Sequence, residues 1–283
     1  MKPKTFAGAE CFSKRRATRD KHGRRGSVGR VTSRHEHFDL TDVSKQHEQT
    51  RSISAEEYVE RQTMKAVVFD LDGTVIDSAP DLHLAANRML SDLRRPPLTL
   101  ENVAGFVGNG VPSLVARCLA ATGGPAKDLD YAILRFREHY ARAPAHLTRP
   151  YAGVETMLQR LSGFGFALGI CTNKPYEFAV AILEELRIMQ FIGVVVGGDT
   201  LAKLKPDPAP LLLCLDRLGV APASTLYVGD SEIDAETAFR AKVPFALYSG
   251  GYLRGSIDAF EPLYVFDHFE DLSDYMLQRG AAR

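Results

Sequence analysis

Two aspartates stand one residue apart directly after an apolar run, in Lys65-Ala66-Val67-Val68-Phe69-Asp70-Leu71-Asp72-Gly73-Thr74. Such polarity ends a buried strand, and residues two apart on a strand share a face. Two carboxylates on one face repel each other unless a cation or a proton lies between them. Gly73 permits a tight turn, and Thr74 offers a hydroxyl. The set reads as a metal-held nucleophile and its partner acid at a strand tip.

The elements that must position this pair follow from periodicity. Ala66–Phe69, Phe166–Cys171, Ile192–Val196, Thr225–Gly229 and Phe245–Tyr248 are short, apolar and rich in Val, Ile or Phe, as buried parallel strands are. Helical spacing falls between them, over Val154–Leu161, Glu177–Leu186, Pro210–Leu218 and Ile233–Ala241. Pro208 and Pro210 suit a helix start, and Gly219 suits a helix stop. Alternating strand and helix predicts an α/β fold with a doubly wound, Rossmann-like parallel sheet. In such a sheet ligands gather beyond the carboxyl ends of the strands. There the sequence places Asp70 and Asp72, then Thr172-Asn173-Lys174, then Gly197-Gly198-Asp199 leading to Lys203 and Lys205, then Gly229-Asp230-Ser231-Glu232-Ile233-Asp234. Carboxylates, a hydroxyl and an ammonium thus converge on one edge.

One interval breaks the alternation. Residues 81–149 carry helical periods (Leu82, Ala85, Ala86, Met89, Leu90; Val111, Leu114, Val115, Cys118, Leu119; Ile133, Phe136, Tyr140) and little strand signal. The block is too long for a simple crossover. It reads as an inserted helical cap over a core made of residues 63–80 and 150–283, with Pro150 at a hinge. His268–Gln278 reads as a terminal helix.

Residues 1–62 differ again. Met1 to Arg34 holds eleven Lys or Arg against two acids, Glu10 and Asp20, and no apolar periodicity. This reads as a disordered basic extension, with Met64 as a functional start. Arg15-Arg16 lacks the apolar stretch an export signal needs. The formal net charge is +0 and the composition, 45% hydrophobic and 25% charged, is globular. Nothing therefore marks the whole chain for nucleic acid or membrane, and no apolar run approaches the roughly 18 residues a membrane helix needs. Cys11, Cys118, Cys171 and Cys214 are scattered without a CxxC pair, which points away from disulfides and zinc and toward the reducing cytoplasm.

Together these motifs resemble the haloacid dehalogenase-like superfamily of phosphotransferases. Asp70-Leu71-Asp72-Gly73-Thr74 matches its first motif, Thr172 the second, Lys205 the third, and Gly229-Asp230 with Asp234 the fourth. Phe69 to Leu82, Val107-Gly108-Asn109-Gly110-Val111-Pro112 and Thr172-Asn173-Lys174-Pro175 look like the bacterial phosphoglycolate phosphatases. One departure is Ala241-Lys242-Val243-Pro244, where that family usually has glycine in place of lysine. The resemblance implies Mg²⁺, with Asp70 as nucleophile forming an aspartyl phosphate and Asp72 as general acid and base. It implies metal contacts from Asp70, Asp230 and the main-chain carbonyl of Asp72, with Asp234 orienting the metal's surroundings. Thr172 and Asn173 would hydrogen-bond phosphoryl oxygens, and Lys205 would neutralise charge there. The implied partner is a small phosphorylated metabolite, 2-phosphoglycolate first.

Plainer readings stand beside these. Lys174 and Lys203 read as solvated lysines, Asp199 as a loop cap, Asp234 as a helix-start acid favoured by the helix dipole, and Ser231 as a residue that could touch the metal's surroundings. His139 and His146 read as surface or hydrogen-bonded histidines, and Cys171 as a small buried group. Selecting a small carboxylate-bearing substrate needs a cation, for which Arg117, Arg88, Arg135 and Arg142 compete. Rival activities on the same scaffold are hydrolysis of nucleotides, pyrophosphate or sugar phosphates, and sugar-phosphate mutation. A non-catalytic binding module, or a nucleic-acid-associated phosphatase using the basic tail, are rivals of other kinds. Oligomeric state leaves no trace in the sequence.

Overall fold

A computed structural model describes residues 63–124, 128–252, 255–257 and 259–280. The expected disordered extension over residues 1–62 lies outside the described residues. In chain order the elements are β1 (Ala66–Phe69), β2 (Ile76–Asp77), α1 (Ala79–Asp92), α2 (Leu100–Ala104), α3 (Gly110–Ala121) and α4 (Leu129–Ala141). Then follow β3 (Arg149–Pro150), α5 (Val154–Phe164), β4 (Ala167–Cys171), α6 (Tyr176–Glu185), β5 (Val194–Val196) and α7 (Ala209–Leu218). The chain continues with β6 (Thr225–Gly229), α8 (Glu232–Ala241), β7 (Phe245–Tyr248), β8 (Tyr264–Phe266) and α9 (Phe269–Arg279).

Six strands form one parallel sheet in the order β5-β4-β1-β6-β7-β8. The chain winds outward from β1 through β4 and β5, then returns to the other side of β1 with β6. The strand order therefore reverses between β1 and β6, which is where ligands settle in such sheets. Alternate residues of β1 serve opposite faces. Val67 and Phe69 join a core shared with α5, α6 and α9, whereas Val68 joins a core shared with α7 and α8.

The helices form where their apolar faces can be buried. In α5, Val154, Met157, Leu158 and Leu161 make the buried stripe, between Gly153 at φ 84° and Gly165 at φ 92°. Helix α8 begins with a reciprocal capping box between Ser231 and Asp234. It ends at Lys242, which takes the left-handed conformation at φ 56°. This is where the resemblance led to an expectation of glycine: glycine reaches the left-handed region freely, whereas a side chain there costs about 1 kcal/mol or more.

Helices α1 to α4 stand between β2 and β3, which pair antiparallel. Leu82, Ala85, Ala86, Met89 and Leu90 are all buried, as the period predicts. On α4 the stripe is Ala132, Phe136, His139 and Tyr140, with Ile133 only half-buried, one step away from the predicted face. Four further elements lie outside what the sequence predicts: the paired strands β2 and β3, the outer strand β8 and the short α2. Strands of two or three residues carry no readable periodicity, and in β8 only Phe266 is buried.

Candidate active site

The carboxyl ends of β1 and β6 lie side by side and each delivers an aspartate. The Asp70 N–H still donates to Val228 O at 2.8 Å, so its backbone is fixed by the sheet. The chain then turns at Gly73, φ 90°, so close to the next strand that a Cβ there would lie 2.4 Å from Asp230 Oδ2. Only glycine fits that approach. Thr74 Oγ1 donates to Asp230 Oδ1 at 2.8 Å, and the Tyr252 N–H donates to Asp230 Oδ2 at 2.7 Å.

Ligand oxygens of Asp70, Asp230 and Asp234 all lie within 4.8 Å of one another, and all three residues are buried. Lys205 is the cation among them. Its Nζ lies 2.8 Å from Asp70 Oδ1 and 2.6 Å from Asp234 Oδ1, and it donates to the Tyr227 hydroxyl at 2.9 Å. Asp234 is fully engaged: Oδ1 meets Lys205 and the Tyr227 hydroxyl, and Oδ2 accepts from the Ser231 N–H and hydroxyl at 3.2 and 2.5 Å. Asp70 Oδ1 is different. It is buried and touches Lys205 Nζ without hydrogen-bond geometry, so it has no donor.

Electrostatics expresses the same imbalance. Burial, then the charge of Asp234, push Asp70 up to about 7 against the pull of Lys205. Burial and the charges of Asp234 and Asp70 raise Asp230 well above the carboxylate range. Burial works against the Lys205 ammonium, but Asp234 and Asp70 outweigh it and hold the ammonium charged. Carboxylates so placed need a further positive charge. An oxygen-only donor set with an orphaned buried oxygen fits a hard divalent cation.

Asp72 faces the same cleft in a separate setting. Its Oδ1 accepts from Ser78 Oγ at 2.5 Å and from Lys174 Nζ at 2.9 Å, and its Oδ2 lies 3.2 Å from that ammonium. The expectation of a solvated Lys174 is corrected here: the residue is buried, and its ammonium sits 4.8 Å from the centre of the Tyr140 ring. Burial by itself would discharge this lysine, but Asp72 and Tyr140 outweigh it and raise its affinity for the proton. The local sequence misleads because the roof over Lys174 comes from α4, distant in the chain.

Thr172 is buried and lines the cleft beside Asp70, Asp72 and Lys174. The Asn173 side chain lies nearby but is committed elsewhere. It donates to Gly108 O and Lys205 O and accepts from the Lys205 N–H, at 2.9, 3.0 and 2.9 Å. Among the described residues its main-chain N–H donates to nothing. Ser231 and Asp199 serve helix starts, the latter accepting from the Tyr176 N–H at 2.8 Å. Lys203 is exposed and pairs with Asp207. His139 pairs with Asp92, and His146 is exposed. Cys171 is fully buried.

Tyr252 escaped the sequence reading altogether. Besides holding Asp230 through its N–H, its hydroxyl donates to Asp77 Oδ1 at 2.6 Å and accepts from the N–H groups of Ser78 and Ala79. It joins the β6 carboxylate to the start of α1. No local signal marks a tyrosine after two glycines for this task.

Residues 67–248 match the profile of the haloacid dehalogenase-like hydrolase family. The chain belongs to that family and is one of its phosphatases. It is 42% identical over 215 residues to a phosphoglycolate phosphatase of Cereibacter sphaeroides, covering 75% of this chain and 98% of that protein. To the phosphoglycolate phosphatase of Rhodospirillum rubrum it is 45% identical over 218 residues, covering 75% and 90%. Among solved structures it resembles one from Haemophilus somnus described as a predicted phosphoglycolate phosphatase, with a TM-score of 0.71 and 30% identity over 75% of this chain and 97% of that one.

Proposed function

We propose that this protein hydrolyses 2-phosphoglycolate to glycolate and phosphate, with Mg²⁺ as its metal. The observation that carries the reading is the buried meeting of Asp70, Asp230, Asp234 and Lys205 beside Asp72, in a chain so similar to phosphoglycolate phosphatases. Asp70, Asp230 and the main-chain carbonyl of Asp72 would hold the ion. Bound there, it would supply positive charge against the repulsion between a carboxylate and a phosphate dianion.

The chain's own groups divide the remaining work. Asp70, fixed by the sheet at the tip of β1 and paired with the Lys205 ammonium, attacks phosphorus and forms an aspartyl phosphate. Asp72, having taken a proton from solvent, gives it to the leaving alkoxide and, a carboxylate again, takes one from the water that resolves the intermediate. Lys205 offsets charge on Asp70 and on the phosphoryl group. The Thr172 hydroxyl and the main-chain N–H of Asn173 bind phosphoryl oxygens, since the Asn173 amide is occupied. Asp234 orients Lys205 and the start of α8. Helices α1 to α4 act as a cap that shuts water out, moving about the β2–β3 ribbon.

The test is a comparison of kcat/KM across small phosphate esters with Mg²⁺ present. 2-Phosphoglycolate is expected to rank first. A nucleotide, pyrophosphate or sugar phosphate ranking well above it would overturn the substrate while leaving the phosphatase standing.

A further inference from the structure

The cleft above the carboxylates holds a cation that the phosphoryl chemistry does not use. Its volume is about 240 Å³. The core bounds it with Asp70, Asp72 and Asp230, and the helical insert bounds it with Gly108, Asn109 and Arg117. Arg117 rides on α3, which Leu114, Val115 and Cys118 bury against its neighbours. Among the described residues its guanidinium has no hydrogen bond or ion pair. Neighbouring cations are all engaged: Lys205 with Asp70 and Asp234, Lys174 with Asp72, and Arg135 with Asp92 and Glu138. Arg117, Arg88 and Arg142 are all exposed, and of the three only Arg117 lines a cavity over Asp70.

We propose that Arg117 selects the substrate by pairing with its second anionic group, the carboxylate of 2-phosphoglycolate, which rests on the reading above. That carboxylate lies only two carbon atoms beyond the ester oxygen, so it must sit in the cleft directly over the acidic floor. There a bare carboxylate meets repulsion from Asp70, Asp72 and Asp230. A guanidinium lining the same cleft offsets that repulsion, and its planar fork matches a carboxylate with two parallel hydrogen bonds. Lys174 cannot take this part, because its ammonium is already neutralised by Asp72. Arg117 thus recognises the part of the substrate that does not react, which separates it from the groups bound to phosphorus.

The experiment compares wild type, Arg117→Gln and Arg117→Lys in the full chain with Mg²⁺. The substrates are 2-phosphoglycolate and ethyl phosphate, which has the same length without the carboxylate. For 2-phosphoglycolate, Arg117→Gln is expected to lower kcat/KM about 10- to 100-fold, the loss of a charged hydrogen-bonded pair, chiefly through KM. Ethyl phosphate is expected to lose far less, and Arg117→Lys to recover part of the loss. Equal losses on both esters, or none on either, would overturn the assignment. A wild type that favours 2-phosphoglycolate, with Arg117→Gln keeping the same preference, overturns only the role of Arg117. A wild type indifferent to the carboxylate overturns the substrate reading as well.

Discussion

At the residue scale, the site is a problem of charge held out of water. Asp72 is a carboxylate whose partners are a buried ammonium and a hydroxyl, Lys174 and Ser78. Such a pair fixes the direction of the carboxylate as much as its charge, because a planar acceptor with two bound donors has little freedom. Replacing Lys174 by Met removes the ammonium and leaves Asp72 half-partnered. Proton transfer by a positioned group contributes about 10²- to 10⁴-fold, so Lys174→Met is expected to lower kcat by roughly 10- to 100-fold, with KM much less affected. Steady-state kinetics with circular dichroism as the folding check decides it; a wild-type kcat would mean that Ser78 alone holds Asp72. Asp70, Asp72 and Asp230 were legible because each stands at or just past the end of an apolar strand, whereas Asp234 and Lys205 were singled out by the family resemblance. The burial of Lys174 was not, since Tyr140 reaches it from α4. Nor was Tyr252, whose contacts to Asp77 and Ser78 span more than 170 positions.

At the element scale, what matters is how the helical insert is tied to the sheet. Asp81, in the first turn of α1, is almost fully buried. Its Oδ2 accepts from the Leu147 N–H at 2.8 Å, and from the Thr148 N–H and hydroxyl at 2.8 and 2.7 Å. One carboxylate oxygen thus fastens the entry of the insert to its exit, just before β3. Local periodicity hides this clasp: the sequence shows Asp81 only as an acid near a helix start, a common favourable placement. Asp81→Ala removes the acceptor of the buried Thr148 N–H and of the less buried Leu147 N–H, while the Thr148 hydroxyl keeps Pro144 O; each unsatisfied group costs about 1–3 kcal/mol. Partial access of water reduces the sum, and a destabilisation of about 2–4 kcal/mol is expected. Urea denaturation measures it. An unchanged midpoint would show that the antiparallel β2–β3 pair suffices to close the insert. The strands and helices of the sheet were readable from their apolar periods, whereas β2 and β3 are too short to carry one. Their pairing comes from the chain being brought back to its own entry point.

At the scale of the whole molecule, a chain of formal net charge +0 concentrates negative charge at one buried point. The sheet makes this possible, since its order reverses between β1 and β6 and so sets Asp70 beside Asp230. That arrangement couples folding to pH. Asp70 is raised to about 7, and Asp230 is raised well above its ordinary range. Folding therefore takes up protons when no metal is bound, and the stability from this uptake is complete below the ordinary carboxylate range. It is lost as pH rises through about 7, where Asp70 ionises in the folded chain. A divalent cation acts in the opposite sense, because it binds the ionised carboxylates and its affinity grows as the competing protons leave. The thermal midpoint of chelator-treated protein is thus expected to fall from pH 5 to pH 8. The increment on adding Mg²⁺ is expected to be larger at pH 8 than at pH 5. At a hundredfold excess over its dissociation constant, the ion adds about 2.7 kcal/mol. Comparing each pH with and without the ion cancels the titration of the rest of the surface, and Asp230→Asn is expected to abolish the increment. Equal increments at both pH values, or an increment that survives Asp230→Asn, would place the metal away from these carboxylates.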